Sequence, residues 1–246
     1  MKNLYKLVFI SVFVCFFSQA FAQIAGDYQS KANGNWKDAT TWQRYNGSGW
    51  VNAATAPDFT TNVTIKGENE VTLTTTNPNS YNECVNLTIT TGMLLGNEGL
   101  YVYGNISVDN NAQIGNVTYK PIIVITSETC QISGTGGYYL GGLWKLDPMD
   151  FVGNTTLTIA AGTTVNYNGT ADQIFIKNDD PNSNFNITVN GTINCATGTI
   201  GNNGYISFDG SNGAGLNSCG GSLTVSATGV VNAGQIYLLG YLLLTT

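Results

Sequence analysis

Residues 156–165 read TLTIAAGTTV and residues 186–193 read NITVNGTI. Each places an apolar residue, a threonine and a second apolar residue in a row, adds a short turn of small or amide residues, and resumes with threonine and an apolar partner. Alternation at period 2 marks a short strand, because successive side chains leave a strand on opposite sides. β-Branched residues fill the strand positions and Gly or Asn the turns, as each element prefers. The same phrase returns as NVTIKG (62–67), NLTITTG (86–92), NISVDN (105–110) and SLTVSATGVV (222–231). No window of comparable length carries a 3.6-residue period, so no helix is expected past the first residues.

Between these phrases the spacing wanders. From Val63 the starts advance to Leu87, Ile106, Leu157, Ile187 and Leu223, in steps of 24, 19, 51, 30 and 36 residues. The longest step holds KPIIVITSETCQISG (120–134), enough for a further coil, and the last holds GYISFDGSNGAG (204–215), enough for an extra strand and a loop. Constant strand phrases with variable spacers predict an all-β fold, a single-stranded parallel β-helix (β-solenoid), in which extra residues protrude at corners while stacked strands keep register. Leu157, Ile159, Ile187, Val189, Leu223 and Val225 are then expected to point inward, each fully buried side chain contributing about 1.5–3 kcal/mol. Thr64, Thr88, Ser107, Thr158, Thr188 and Thr224 form an outer hydroxyl row. Asn62, Asn86, Asn105 and Asn186, which precede the strands, suit corners where their amides bond local backbone or one another. The N-x-[ST] sequons they create are by-products of that arrangement.

The chain opens MKNLYKLVFISVFVCFFSQAFAQ, with Lys2 and Lys6 before an apolar run and Ala20 and Ala22 around Phe21. These are the parts of a secretory signal, residues 1–22, with Gln23 as the first mature residue. The run is too short to be read first as a span, since crossing a bilayer takes about 20 apolar residues. Loss of Lys2 and Lys6 leaves seven basic and fifteen acidic residues, a net charge of −8. Such a chain repels nucleic acid and anionic lipid, so neither is an expected partner, and no membrane span remains after cleavage.

Residues 23–61 precede the repeats and hold Trp36, Trp42 and Trp50, three of the four tryptophans. A solenoid exposes unpaired edges and an open core at its ends. The three indoles, with Tyr28 and Tyr45, offer the apolar area to close the first end as an N-terminal cap. NGSG (46–49), between QRY and WVN, reads as a hairpin turn. The competing reading makes Trp36, Trp42, Trp50 and Tyr45 a platform for a ligand such as a sugar face. Residues 62–246 are assigned to the solenoid.

GNWKDATTWQRYNGSGWVNAATAPDFTTNVTIKGENEVTL, residues 34–73, resembles the start of secreted bacterial surface proteins in which N-W-x-[DS]-x-x-T-W precedes a proline and then V-T-I-x-x-G-x-x-V-T-L. It is similar also to the extracellular domain type named for its eight glycines. The resemblance spans about 40 residues and implies a large, exported, β-helical protein with adhesive or polysaccharide-related roles, often with a C-terminal sorting domain. Here the chain ends IYLLGYLLLTT without one. As a terminus that apolar segment would be an open, sticky edge, so the expectation is that the natural product continues past Thr246 or, second, that this end docks on another copy.

Catalytic chemistry finds little to use. The absence of histidine excludes a Ser-His-Asp or Cys-His nucleophile. Arg44 is the one arginine, and Lys120, Lys145 and Lys177 recur with no carboxylate at coil spacing. The densest acids, Asp147 with Asp150 and Asp179 with Asp180, lie beside prolines and read as turn residues, with a surface calcium as the alternative. GTGGYYLGGLWKL (134–146) lacks the Lys-Ser/Thr of a phosphate loop and reads as a bulge or long loop, and its Tyr138, Tyr139 and Trp144 are the second candidate ligand surface. Mostly one threonine per phrase faces out at wandering spacing, which argues against an ice-binding array. Of Cys84, Cys130, Cys195 and Cys219, none forms C-x-x-C; if one disulfide exists, Cys195 with Cys219 is expected, one repeat apart. The reading is a secreted or cell-surface, non-enzymatic protein without cofactor or metal, an adhesin-like stalk or glycan-binding module, with surface glycans or other cell-surface proteins as partners. The alternative is the non-catalytic portion of a carbohydrate-active β-helix enzyme.

Overall fold

The computed structural model describes residues 23–74, 81–145, 154–167, 174–178, 184–194, 205–207, 220–232 and 235–237, of which 174–178, 205–207, 220–221 and 235–237 are described as backbone. Among the described residues it is all-β apart from one 3-10 turn, Ala39–Thr41, and none of their helices is long and apolar enough to cross a membrane. The strands fall into three sheets, each pairing parallel along the repeats. The chain visits them in rotation. Val63–Ile65 lies on the first face, Asn69–Thr72 on the second and Asn82–Cys84 on the third; Leu87–Ile89 then returns to pair with Val63–Ile65. The rotation continues to Gly220–Val225, Val230–Asn232 and Gln235–Tyr237, which makes the arrangement solenoid-like.

Register follows the hydrophobic pattern. Val63, Leu87 and Ile106 stand in one column with Thr64, Thr88 and Ser107 beside them. The apolar members are at most 1% exposed while the hydroxyl residues are half-buried, as alternation demands. Leu157, Ile159, Ile187, Val189 and Leu223 are buried as expected, and Val225 packs against the same core. One detail departs from simple stacking of phrases. Ile106 pairs with Ile132, and Ile132 with Ile159 rather than with the phrase-matched Leu157, which pairs with Cys130. The later phrases therefore sit two residues out of step with the earlier ones. A slip of two keeps every side chain on its own face, whereas a slip of one would turn the core outward.

Corners are fixed by amides and glycines. Asn86 donates to Asn62 Oδ1 at 2.7 Å, Asn62 donates to Asp27, and Asn86 and Asn105 accept from the backbone N–H groups of Asn105 and Gln131 one rung further on. A second amide ladder, Asn166, Asn194 and Asn232, follows the second face. Gly134, at φ +98°, turns the chain between first and second faces, and a Cβ there would stand 2.1 Å from the Val108 carbonyl oxygen.

GTGGYYLGGLWKL is not a loop. Gly137–Leu140 is a second-face strand and Gly142–Lys145 a third-face strand, with Gly141 alone at the corner. The glycines that suggested a loop make room for rings: a Cβ on Gly137 would meet the Tyr139 ring, and one on Gly142 would meet three atoms of the Trp144 pyrrole ring within 3.1 Å. Each aromatic lies back over the glycine two residues before it, which covers backbone that glycine leaves bare.

Before the repeats, Tyr28–Ser30 pairs parallel with Val63–Ile65 and antiparallel with Trp42–Tyr45, which forms a hairpin with Trp50–Asn52. The turn is NGSG, where Asn46 Oδ1 accepts from the N–H groups of Ser48 and Gly49. Trp36 and Trp42 are fully buried in the core that contains Val63, Ile65 and Leu73. Their rings meet edge to face at 5.2 Å, and Trp42 Nε1 donates to the Trp36 carbonyl at 2.8 Å.

Candidate functional site

The hairpin extends the first sheet beyond Tyr28–Ser30 and, with the arm before it, borders a groove of about 580 Å³ on the outer side of that face. Its floor is the hydroxyl row of Thr64, Thr88 and Ser107, extended by Gln29 at one end and by Gln131 and Ser133 at the other. One wall carries Gln23, Ile24 and Asp27 with the Asn62, Asn86 and Asn105 ladder, and the other carries Trp50, Lys66 and Thr90. The strand twist and alternation place these side chains outward without any special backbone, so the floor repeats at the strand spacing of about 4.8 Å.

Among the described residues, the hydroxyls of Thr64, Thr88 and Ser107 make no hydrogen bond to protein, unlike that of Ser133, which donates to the Ile106 carbonyl. The groove's charged side chains are Asp27 and Lys66. Asp27 is already engaged by Ile24 N–H and the Asn62 amide. Trp50 is half-buried, packed against Tyr45 at 5.4 Å, with Lys66 Nζ 5.9 Å from its ring centroid.

A second surface is aromatic. On the outside of the third face Glu83, Tyr101, Val124 and Trp144 stand in register over four consecutive rungs. Tyr81, 43% exposed, packs on Tyr101 at 4.6 Å, and Phe59 packs on Tyr103 at 5.9 Å. Val124 points outward yet is only 2% exposed, since it sits between Tyr101 and Trp144 in the register. At one end Lys37 donates to the Tyr81 carbonyl. Desolvation lowers the Lys37 pKa despite nearby Glu83 and Asp58, and desolvation likewise raises that of Glu83 against the pull of Lys37. Burial also raises the Tyr101 phenol.

The sequence candidates are thereby dispersed. Trp36, Trp42 and Tyr138 present no face to solvent, all three being 0% exposed. Tyr138 stands in the second-face column between Ile114 and Val165 and donates its hydroxyl to the Ser133 carbonyl. Trp50 and Tyr45 lie at the groove, Tyr139 on the second face and Trp144 on the third. Residues 1–22, Cys195, Cys219, Asp147, Asp150, Asp179 and Asp180 lie outside the described residues. Cys84 and Cys130 are buried free thiols. No group of three metal-ligating His, Cys, Asp or Glu side chains occurs among the described residues. Sequence reading missed the Tyr81–Tyr101 pair and the groove wall formed by Gln23 to Asp27. For Tyr101 a local signal existed, the spacing Gly99-Leu-Tyr101, which repeats as Gly137-Tyr-Tyr139 and Gly142-Leu-Trp144.

No family model, curated protein or solved structure matches the chain.

Proposed function

We propose that the chain is a single-stranded parallel β-helix whose N-terminal end is sealed by residues 23–61, exported by the signal of residues 1–22 and working at the cell surface or outside the cell as a non-enzymatic, adhesin-like stalk with a glycan-binding surface. The observation that carries this reading is the unbroken parallel pairing of the first face from Tyr28–Ser30 to Gly220–Val225, reinforced by the amide ladders. Pairing of that kind yields a stiff body in which each rung is held by its neighbours. Trp36 and Trp42 share the buried core with Val63, Ile65 and Leu73, which supports the end-seal reading. The resemblance of residues 34–73 to secreted bacterial surface proteins supports the location.

Expression of residues 1–246 in a bacterial host, followed by fractionation and N-terminal sequencing, tests the reading. An exported product that begins at Gln23 is expected. A product that retains Met1 and stays inside the cell would overturn the location, and release of new sugar ends from polysaccharides by the purified chain would overturn the non-enzymatic role.

A further inference from the structure

We propose that the first-face groove binds a neutral, hydroxyl-rich polysaccharide laid along the stacking direction, with one sugar ring against Trp50. The inference rests on the glycan-binding part of the function proposed above and assigns it a site and a ligand class.

Three observations carry it. First, Thr64, Thr88 and Ser107 present three hydroxyls in register with no protein partner. They repeat every strand spacing, about 4.8 Å, so a polymer lying across the strands meets a donor and acceptor at each rung. Second, the wall supplies one aromatic, Trp50, whose ring packs at a tilt against Tyr45 at 5.4 Å. A ring fixed in this way offers apolar area to the C–H face of a sugar at little cost in side-chain order. Third, the charge is balanced. The groove holds one carboxylate and one ammonium, and Asp27 is spent on internal hydrogen bonds. With a net charge of −8 once residues 1–22 are removed, an acidic polymer would meet repulsion and only Lys66 to answer it. A neutral polymer meets none, and Lys66 is placed to donate to a hydroxyl beside the Trp50 ring.

The same fold supplies its own control. Thr158, Thr188 and Thr224 continue the outer side of the first face, two residues along from the column of Thr64, Thr88 and Ser107, and do not line the groove. The test is affinity electrophoresis and calorimetry of the full chain with a soluble neutral β-glucan, a galactomannan and, as the acidic comparison, polygalacturonate. Binding to at least one neutral polymer and none to the acidic one is expected. Trp50→Ala should weaken binding tenfold or more, Thr88→Val about threefold, and Thr188→Val not at all. Thr88→Val keeps side-chain volume, and melting curves for each variant separate lost binding from lost fold. Binding that survives both Trp50→Ala and Thr88→Val would overturn the site while leaving a glycan-binding role elsewhere intact. Preference for polygalacturonate would overturn the ligand class. Failure of every neutral polymer to bind wild-type protein would overturn the inference, whereas export from Gln23 is read independently.

Discussion

The rungs and the segment before them bury their apolar residues by opposite means. In the rungs an aliphatic side chain stands on its counterpart one strand away, as Val63, Leu87 and Ile106 do, and many such contacts share the load. In residues 28–52 the strands turn antiparallel and two indoles, Trp36 and Trp42, fill one place through a single edge-to-face contact and one hydrogen bond. A repeated element is stabilised by copies of one interaction, and its loss at a single rung is partly offset by neighbours. An unrepeated element depends on particular residues.

The sharpest break of that contrast is Trp42→Ala, for which a loss of about 3–5 kcal/mol is expected in denaturant titration, the usual range for a buried Trp. Ile132→Ala should cost less within its own range of about 2–5 kcal/mol because adjacent rungs relax around it. Raising the pH attacks the rungs from inside. Burial pushes the Cys130 thiol up to about 12 and the Cys84 thiol upward as well. A raised folded-state value means that stability is complete below the unfolded thiol range, near about 8.5, and is lost as pH rises from there toward the folded value. The loss amounts to about 1.4 kcal/mol per pH unit for each thiol. Melting temperature should therefore fall between pH 8.5 and 11, and alkylation mapped by mass spectrometry at pH 8 should spare Cys84 and Cys130 until denaturant is added.

At a corner, Gly134→Ala should cost about 2 kcal/mol, since alanine is strained at a positive φ and its Cβ would strike the Val108 carbonyl. Within the tryptophan pair, Trp42→Phe removes a hydrogen bond to the Trp36 carbonyl, whereas Trp36 Nε1 has no acceptor among the described residues. Trp42→Phe should therefore be more destabilising than Trp36→Phe by about 1 kcal/mol or more. The smallest effect belongs to the outer row: Thr158→Val, half-buried and without a hydrogen bond, should change stability by no more than about 0.5 kcal/mol.

What was legible in the sequence was what recurs or is local. The strand phrases, their inward and outward residues, the corner asparagines and the NGSG hairpin all have signatures within a few residues. Three features were not read from it. The two-residue displacement at Ile132 is silent because period 2 leaves the pattern unchanged. The strand Gly137–Leu140 was hidden by glycines whose purpose, to seat rings, is set by residues two positions on. The third-face ridge joins Tyr81, Tyr101, Val124 and Trp144 from four rungs, and its side chains become neighbours only through stacking. The groove was half visible: its hydroxyl floor and Trp50 were read separately, but only the folded chain brings residues 23–27 to the other side.

The central claim is that the first face is one continuous stack, each rung a strand spacing beyond the last. Spin labels paired from Thr64 to Thr158, to Thr188 and to Thr224, read by pulsed electron resonance, measure it directly. These sites are four, five and six rungs apart and displaced two residues along the strand from Thr64, so the distances should rise as about 20, 25 and 30 Å, within the reach of the labels. Distances that fail to lengthen in that order, or that fold back toward a short value as two facing antiparallel sheets would give, would contradict it.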